Sequence, residues 1–384
     1  MPSSAGLEFS SVLTTADNST FVERRLEAQS PVGTAFTVLD NTNGFLYLGD
    51  TEKFDMAVFD LATGGNVGVL KWEFSTGTST WAEFVPSSSR LNYDMNDADV
   101  GLAYDFSRDG VEMFPSNQLS TWALGTVNGT GISATIRYWV RVSTASIEPA
   151  PTVSRIQKRP FASYCSTGDV FRFLQLGNIV GTPGSPATDF STTTTPTKDS
   201  VEQYIQAAES RIDYMTRKSW RTQYVGEEYH DFNLNGFKLD RPDPYKILRL
   251  QIWDGAGWET KDPGRMSDFF LLKEVGMVHF SRYFLLPARF MSYNAPIWRF
   301  GGGEFMMPVK LSYLAGRDIH ADAREAGVVF DAARKLAAIE VLRSADFGTL
   351  IVSGTDRVQL MQRIESWSME TELMLDTLRA FEVF

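Results

Sequence analysis

The chain predicts a multidomain protein: an N-terminal all-β antiparallel sandwich, then a C-terminal α+β, mainly helical domain with a β-hairpin insert. Three observations support this. A chain of 384 residues exceeds one ordinary core. The apolar period changes from short strand-like runs before about residue 150 to helical spacing after it. The charge changes too: residues 1–155 hold 18 Asp/Glu and 9 Lys/Arg, and residues 156–384 hold 29 and 27. The excess acidity therefore belongs to the first half, which argues against a general nucleic-acid binder there.

The strands come first. "GTAFTVLD", "GFLYLGD", "FDMAVFDL", "VGVLKWEF", "TWAEFVP" and "ATIRYWVRVS" are short runs separated by Gly, Asn, Asp, Ser and Thr, the pattern of an antiparallel sandwich or barrel. "WEFSTGTSTW" predicts a hairpin with its tip at "STGTST". Alternation in "RYWVRV" puts Tyr138, Val140 and Val142 on one face and Arg137, Trp139 and Arg141 on the other. An arginine–tryptophan face is expected to meet something.

Pro149, Pro151 and Pro160 mark a linker, and "STGDVFRFLQLGN" predicts a short helix begun by Ser166 or Thr167. "NIVGTPGSPATDFSTTTTPTK" is expected to be a surface loop. The resulting layout is a β-domain at 1–157, a linker with a short helix at 158–198, and the helical domain at 199–384.

"DSVEQYIQAAESRIDYMTRKSWR" opens that domain as an amphipathic helix with Val201, Tyr204, Ile205, Ala208, Ile212 and Met215 on one face. Asp199 and Glu202 suit its capping, and Arg217, Lys218 and Arg221 suit its C-terminal end. "YKILRLQIWDGAGWETK", "GMVHFS" and "PVKLSYLAG" predict strands. The long helix "DAREAGVVFDAARKLAAIEVLRS" carries alanines at 332, 333, 337 and 338 that suit a core. In the last helix, Leu360, Ile364, Trp367, Thr371, Met374, Leu378 and Phe381 follow a 4-3 seam. Met361, Met369 and Leu375 lie off it, so a second contact is expected.

Catalysis finds little support. His230, His279 and His320 sit in unrelated contexts, and no HExxH or Gly-x-Ser-x-Gly motif occurs. "EEYHD" could be a metal site, but strand geometry puts Glu228 and His230 on one side and Glu227 and Asp231 elsewhere. "FGGGEF" lacks the Lys-Ser/Thr of a phosphate loop. The one cysteine, Cys165, excludes an internal disulfide and suits a chain folded in a cytosol. No enzyme activity, cofactor or metal is expected. No run reaches the ~18 apolar residues of a membrane span, and "MPSSAGLEFS" has no secretory pattern.

Two aromatic groups remain. "FSRYFLLPARFMSYNAPIWRFGGGEF" interleaves aromatics with Arg282, Arg289 and Arg299. A protein interface, a hairpin on its own domain and a single-stranded nucleic-acid platform all use such mixtures. Trp298, Arg299 and Arg289 are the anchors expected of an interface. Trp72, Trp81, Trp122 and Trp139 suit either a sandwich core or an exposed sugar-binding platform.

The order of helix, strand-rich insert, "VKLSYLAGRD" and alanine-rich helix resembles head–tail connector (adaptor) proteins of tailed viruses. "YIQAAESRID" and "SYLAG" carry most of the likeness, over roughly residues 161–384. The N-terminal sandwich resembles an accessory domain of virion structural proteins. Two departures stand out: simple connectors are shorter, and the proline that often follows the Y-x-x-G turn is missing after "LAGRDIHAD". The resemblance implies a virion protein of the neck, made in the host cytoplasm. It also implies a homo-oligomeric ring, usually a dodecamer, between the portal and the next neck or tail protein. DNA would pass through its channel without sequence recognition. The alternative is a carbohydrate-binding virion or surface protein acting through the sandwich.

Overall fold

The computed structural model describes residues 8–29, 34–86, 106–114, 119–176, 187–231, 236–253, 258–264, 267–281, 309–317, 323–344 and 355–380. These residues form antiparallel sheets and five helices. They fall into two compact units: Met1–Pro160 with Tyr224–Ala315, and Phe161–Gln223 with Gly316–Phe384. The strand-rich insert thus groups with the N-terminal sandwich, whereas the expected layout joined it to the helices in 199–384.

The first unit contains two sheets built from residues before 161. One has the order β2 (Phe21–Glu23), β1 (Ser11–Thr15), β4 (Phe45–Asp50), β10 (Ile132–Thr144), β6 (Leu70–Gly77), β7 (Thr80–Phe84), with β9 (Leu124–Gly129) also on β10. The other runs β3 (Phe36–Thr37), β11 (Thr152–Pro160), β5 (Phe54–Thr63), β8 (Gly110–Met113). A short helix, α1 (Arg25–Gln29), accompanies them.

Alternation decides the faces of the larger sheet. Val140 pairs with Phe74 and Val142 with Trp72, and all four are buried. An aromatic cluster includes Trp72, Phe59, Phe84 and Phe114. The opposite face carries its own small core of Leu13, Phe21, Tyr47, Val127 and Trp139.

β11 corrects the expected linker. Its prolines lie near its ends, and between them Val153 and Ile156 are buried. Its two adjacent cations are also buried: Lys158 pairs with Asp50, and Arg159 Nε lies 2.7 Å from Asp55. Their carboxylate partners are more than 100 residues away along the chain.

The insert forms a four-stranded sheet, β12 (Gln223–His230), β18 (Val309–Ala315), β14 (Pro244–Trp253), β15 (Trp258–Thr260), and a three-stranded sheet, β13 (Phe237–Lys238), β17 (Met277–Phe280), β16 (Phe269–Leu272). Lys246 Nζ on β14 lies 2.6 Å from Asp60 and 2.7 Å from Asp109 of the sandwich. Leu314 joins Met56, Val58 and Val111 in one apolar cluster.

The second unit is helical: α2 (Thr167–Phe173), α3 (Lys198–Thr216), α4 (Ala323–Arg343) and α5 (Thr355–Ala380). Ser166 and Asp169 form a capping box on α2. Thr197, rather than Asp199, caps α3, and its hydroxyl accepts from the Ser200 amide. α3 ends before the expected basic cluster, with Arg217 left-handed at φ 57°. Val201, Ile205, Ala208 and Ile212 of α3 are buried together with the four alanines of α4, Ala332, Ala333, Ala337 and Ala338. Phe190, in the segment read as a surface loop, is buried on Phe171.

Candidate assembly surface

Helix α5 is built with two apolar sides. Ile364, Thr371, Leu375 and Leu378 are buried in the helical core. Trp367 is partly buried, its ring 4.7 Å from Phe173. Thr371 fits the seam because its hydroxyl donates to the Trp367 carbonyl at 2.7 Å, which satisfies it locally. Lys335 of α4 reaches across to Glu370 at 2.9 Å.

Leu375 corrects the expected seam. It lies four residues beyond Thr371 and three before Leu378, nearer the centre of the inward face than the half-buried Met374. Met361, Met369 and Leu373 point the other way, exposed by 55%, 66% and 68%. Glu365, Glu372 and Asp376 are exposed on the same side. The side chain of Leu360, all of Phe381 and the anchors Arg289, Trp298 and Arg299 lie outside the described residues.

A buried polar network braces α3. Glu209 is fully buried, and one oxygen accepts from the amides of Ser163 and Tyr164 at 2.5 and 2.7 Å. Its other oxygen meets Arg221. The Tyr164 hydroxyl bonds Asp213 and accepts from the Trp220 amide. Burial pushes the Glu209 carboxyl up to about 7, outweighing Arg221 and the two amides, and it raises Asp213 too. The sequence carries a signal for this group. Glu209 stands four residues after Ile205 and three before Ile212, inside the apolar stripe, where a charge needs a partner.

The sandwich tryptophans form no platform. Trp72, Trp122 and Trp139 are buried, and the indole N–H groups of Trp122 and Trp139 donate to backbone carbonyls at 3.1 Å. Trp81 is partly buried, with the Arg141 guanidinium 4.2 Å above its ring. Arg141 also pairs with Glu73. The arginine–tryptophan face expected to meet a partner is thus closed by its own sheet.

Glu228, His230 and Asp240 bring their donor atoms within 4.8 Å of one another, a set that could hold a cation. Its hydrogen bonds give it a structural role. Glu228 Oε1 meets His230 Nε2 at 2.5 Å and accepts from the Asp240 amide at 2.9 Å. Its Oε2 accepts from Tyr313 at 2.5 Å. The His230 ring stacks on Phe237. A cation would have to compete with all of these contacts.

No family model and no curated protein matches the chain. Among solved structures it is similar to a chain in the virion of a native gene transfer agent particle. Identity there is 16%, covering 53% of this chain and 91% of that one, with a TM-score of 0.26. A chain in the neck of an empty gene transfer agent particle, computed with C6 symmetry, gives 15%, 52%, 87% and 0.26. Among the described residues, no helix is long and apolar enough to cross a membrane.

Proposed function

We propose that this chain is a structural protein of a virion neck. In this reading it is one subunit of a homo-oligomeric ring that joins the portal to the next neck or tail protein and extends the DNA channel. The helical unit, 161–223 with 316–384, would form the connector body, and the β-unit would be its accessory. The observation that carries the reading is α5. One side closes its own core, while Met361, Met369 and Leu373 stay exposed on the other, as an assembly subunit requires. The order of elements noted in the sequence supports the same reading. No catalytic step or cofactor is assigned. The carbohydrate-binding alternative loses its platform, because three of its four tryptophans are buried.

Negative-stain imaging of particles carrying a labelled chain tests the proposal. A ring at the neck is expected. Label elsewhere on the particle, or particles that assemble fully without the protein, would overturn it.

A further inference from the structure

Helix α3 carries an outward face complementary to that of α5. Gln203, Ala207, Ser210 and Tyr214 recur at spacings of four and three, all exposed, with Arg211 beside them and the exposed Arg217 in the left-handed turn just past the helix end. Tyr214 is 84% exposed. Ala207 and Ser210 leave room for another backbone to approach. We infer that the outward face of α5 in one copy packs on the outward face of α3 in a second copy. Met369 and Leu373 would lie against Tyr214, and the α5 carboxylates against Arg211 and Arg217.

Three arguments favour a second copy of this chain as the occupant. The charges are opposite and unspent: among the described residues, Arg211 and Arg217 have no ion-pair partner, and neither do Glu365, Glu372 and Asp376. Each face also supplies apolar area to bury. Pairing α5 with its own equivalent fails, because it sets three carboxylates against three others. The two faces belong to different helices, so the contact can run head-to-tail and close a ring, whereas a reciprocal two-fold pairing of the same faces would stop at a linked dimer and is excluded by a ladder. This inference deepens the proposed neck role and rests on it.

Sedimentation velocity of the full chain over a concentration series tests the contact. Glu372→Lys with Asp376→Lys should weaken self-association roughly tenfold or more, since like charges then face each other. Arg211→Glu with Arg217→Glu should do the same, and all four changes in one chain should restore association. Independently, Ser210→Cys with Leu373→Cys should give an oxidised ladder of linked chains, with the native Cys165 buried and out of reach. The inference fails if either reversal leaves association unchanged or the combination does not restore it. It also fails if the cysteines join only within one chain, or if the wild type stays monomeric and no ladder forms. A neck ring indifferent to the reversals would remove this contact and keep the neck role. The full reversal pattern in a protein located away from the neck would do the opposite.

Discussion

Arg221 Nη1 lies 2.6 Å from the carboxylate of Glu209, whose side chain is completely buried in α3. The pair ties the turn after the helix to its middle, and the same carboxylate holds the chain at Ser163 and Tyr164. Glu209→Ala would strip three donors of their acceptor at once. Asp213, 3.5 Å from Arg221 Nε, retains part of the charge balance. The expected loss is about 3 kcal/mol, the scale of a broken buried pair. Urea unfolding followed by tryptophan fluorescence should show it. A change under about 0.5 kcal/mol, as for an ordinary surface site, would refute the brace.

The same carboxyl sets a pH dependence. Its folded value, about 7, is raised above the ordinary 4.5, so the native state binds the proton more tightly than the unfolded state. Its contribution is therefore complete below 4.5 and is lost as pH rises through about 7. Asp213, also raised by burial, acts in the same direction. Wild-type stability relative to Glu209→Gln should fall by up to about 3 kcal/mol between about pH 5 and pH 8. A constant difference across that range would contradict the assignment.

Gly49 faces Trp139 across the β4–β10 pair, and a Cβ there would sit 2.2 Å from the indole ring. Trp139 has no exposed surface into which it could retreat. Gly49→Ala should cost about 1–3 kcal/mol by overpacking. The near-ultraviolet circular dichroism of the tryptophans should change with it. An unperturbed spectrum and midpoint would show that the ring is not held there.

The two sides of α5 should respond differently. Ile364→Ala or Leu378→Ala removes a buried side chain and should cost about 2–5 kcal/mol. Met369→Ser on the exposed side should stay within about 0.5 kcal/mol. Denaturant midpoints compare them directly, and equal losses on both sides would mean that Met369 is covered. Deleting 370–384 would remove Leu375 and Leu378 from the core, so it should destabilise the helical unit as well as any assembly.

Much of the strand pattern was legible because alternation and turn residues are local. "FLYLGD", "FDMAVFDL" and the "WEFSTGTSTW" hairpin stand where expected, with Ser79 left-handed at the tip. β11 was missed because Pro149, Pro151 and Pro160 were read as marking a linker, whereas Pro151 precedes the strand and Pro160 ends it. Asp199 was read as the cap, whereas Thr197, also of a capping residue type, holds that position.

By itself, the sequence determined where strands and helices alternate, that α4 is a core helix lined by alanines, and that α5 has apolar residues beyond a single seam. These follow from period and residue type, which neighbours along the chain already define. The tertiary structure alone decided that the 224–315 insert groups with the sandwich, that three tryptophans are core rather than platform, and that Glu209 meets Arg221. Each depends on which distant surfaces come together, and burial and ion pairing are properties of those meetings rather than of any stretch of chain.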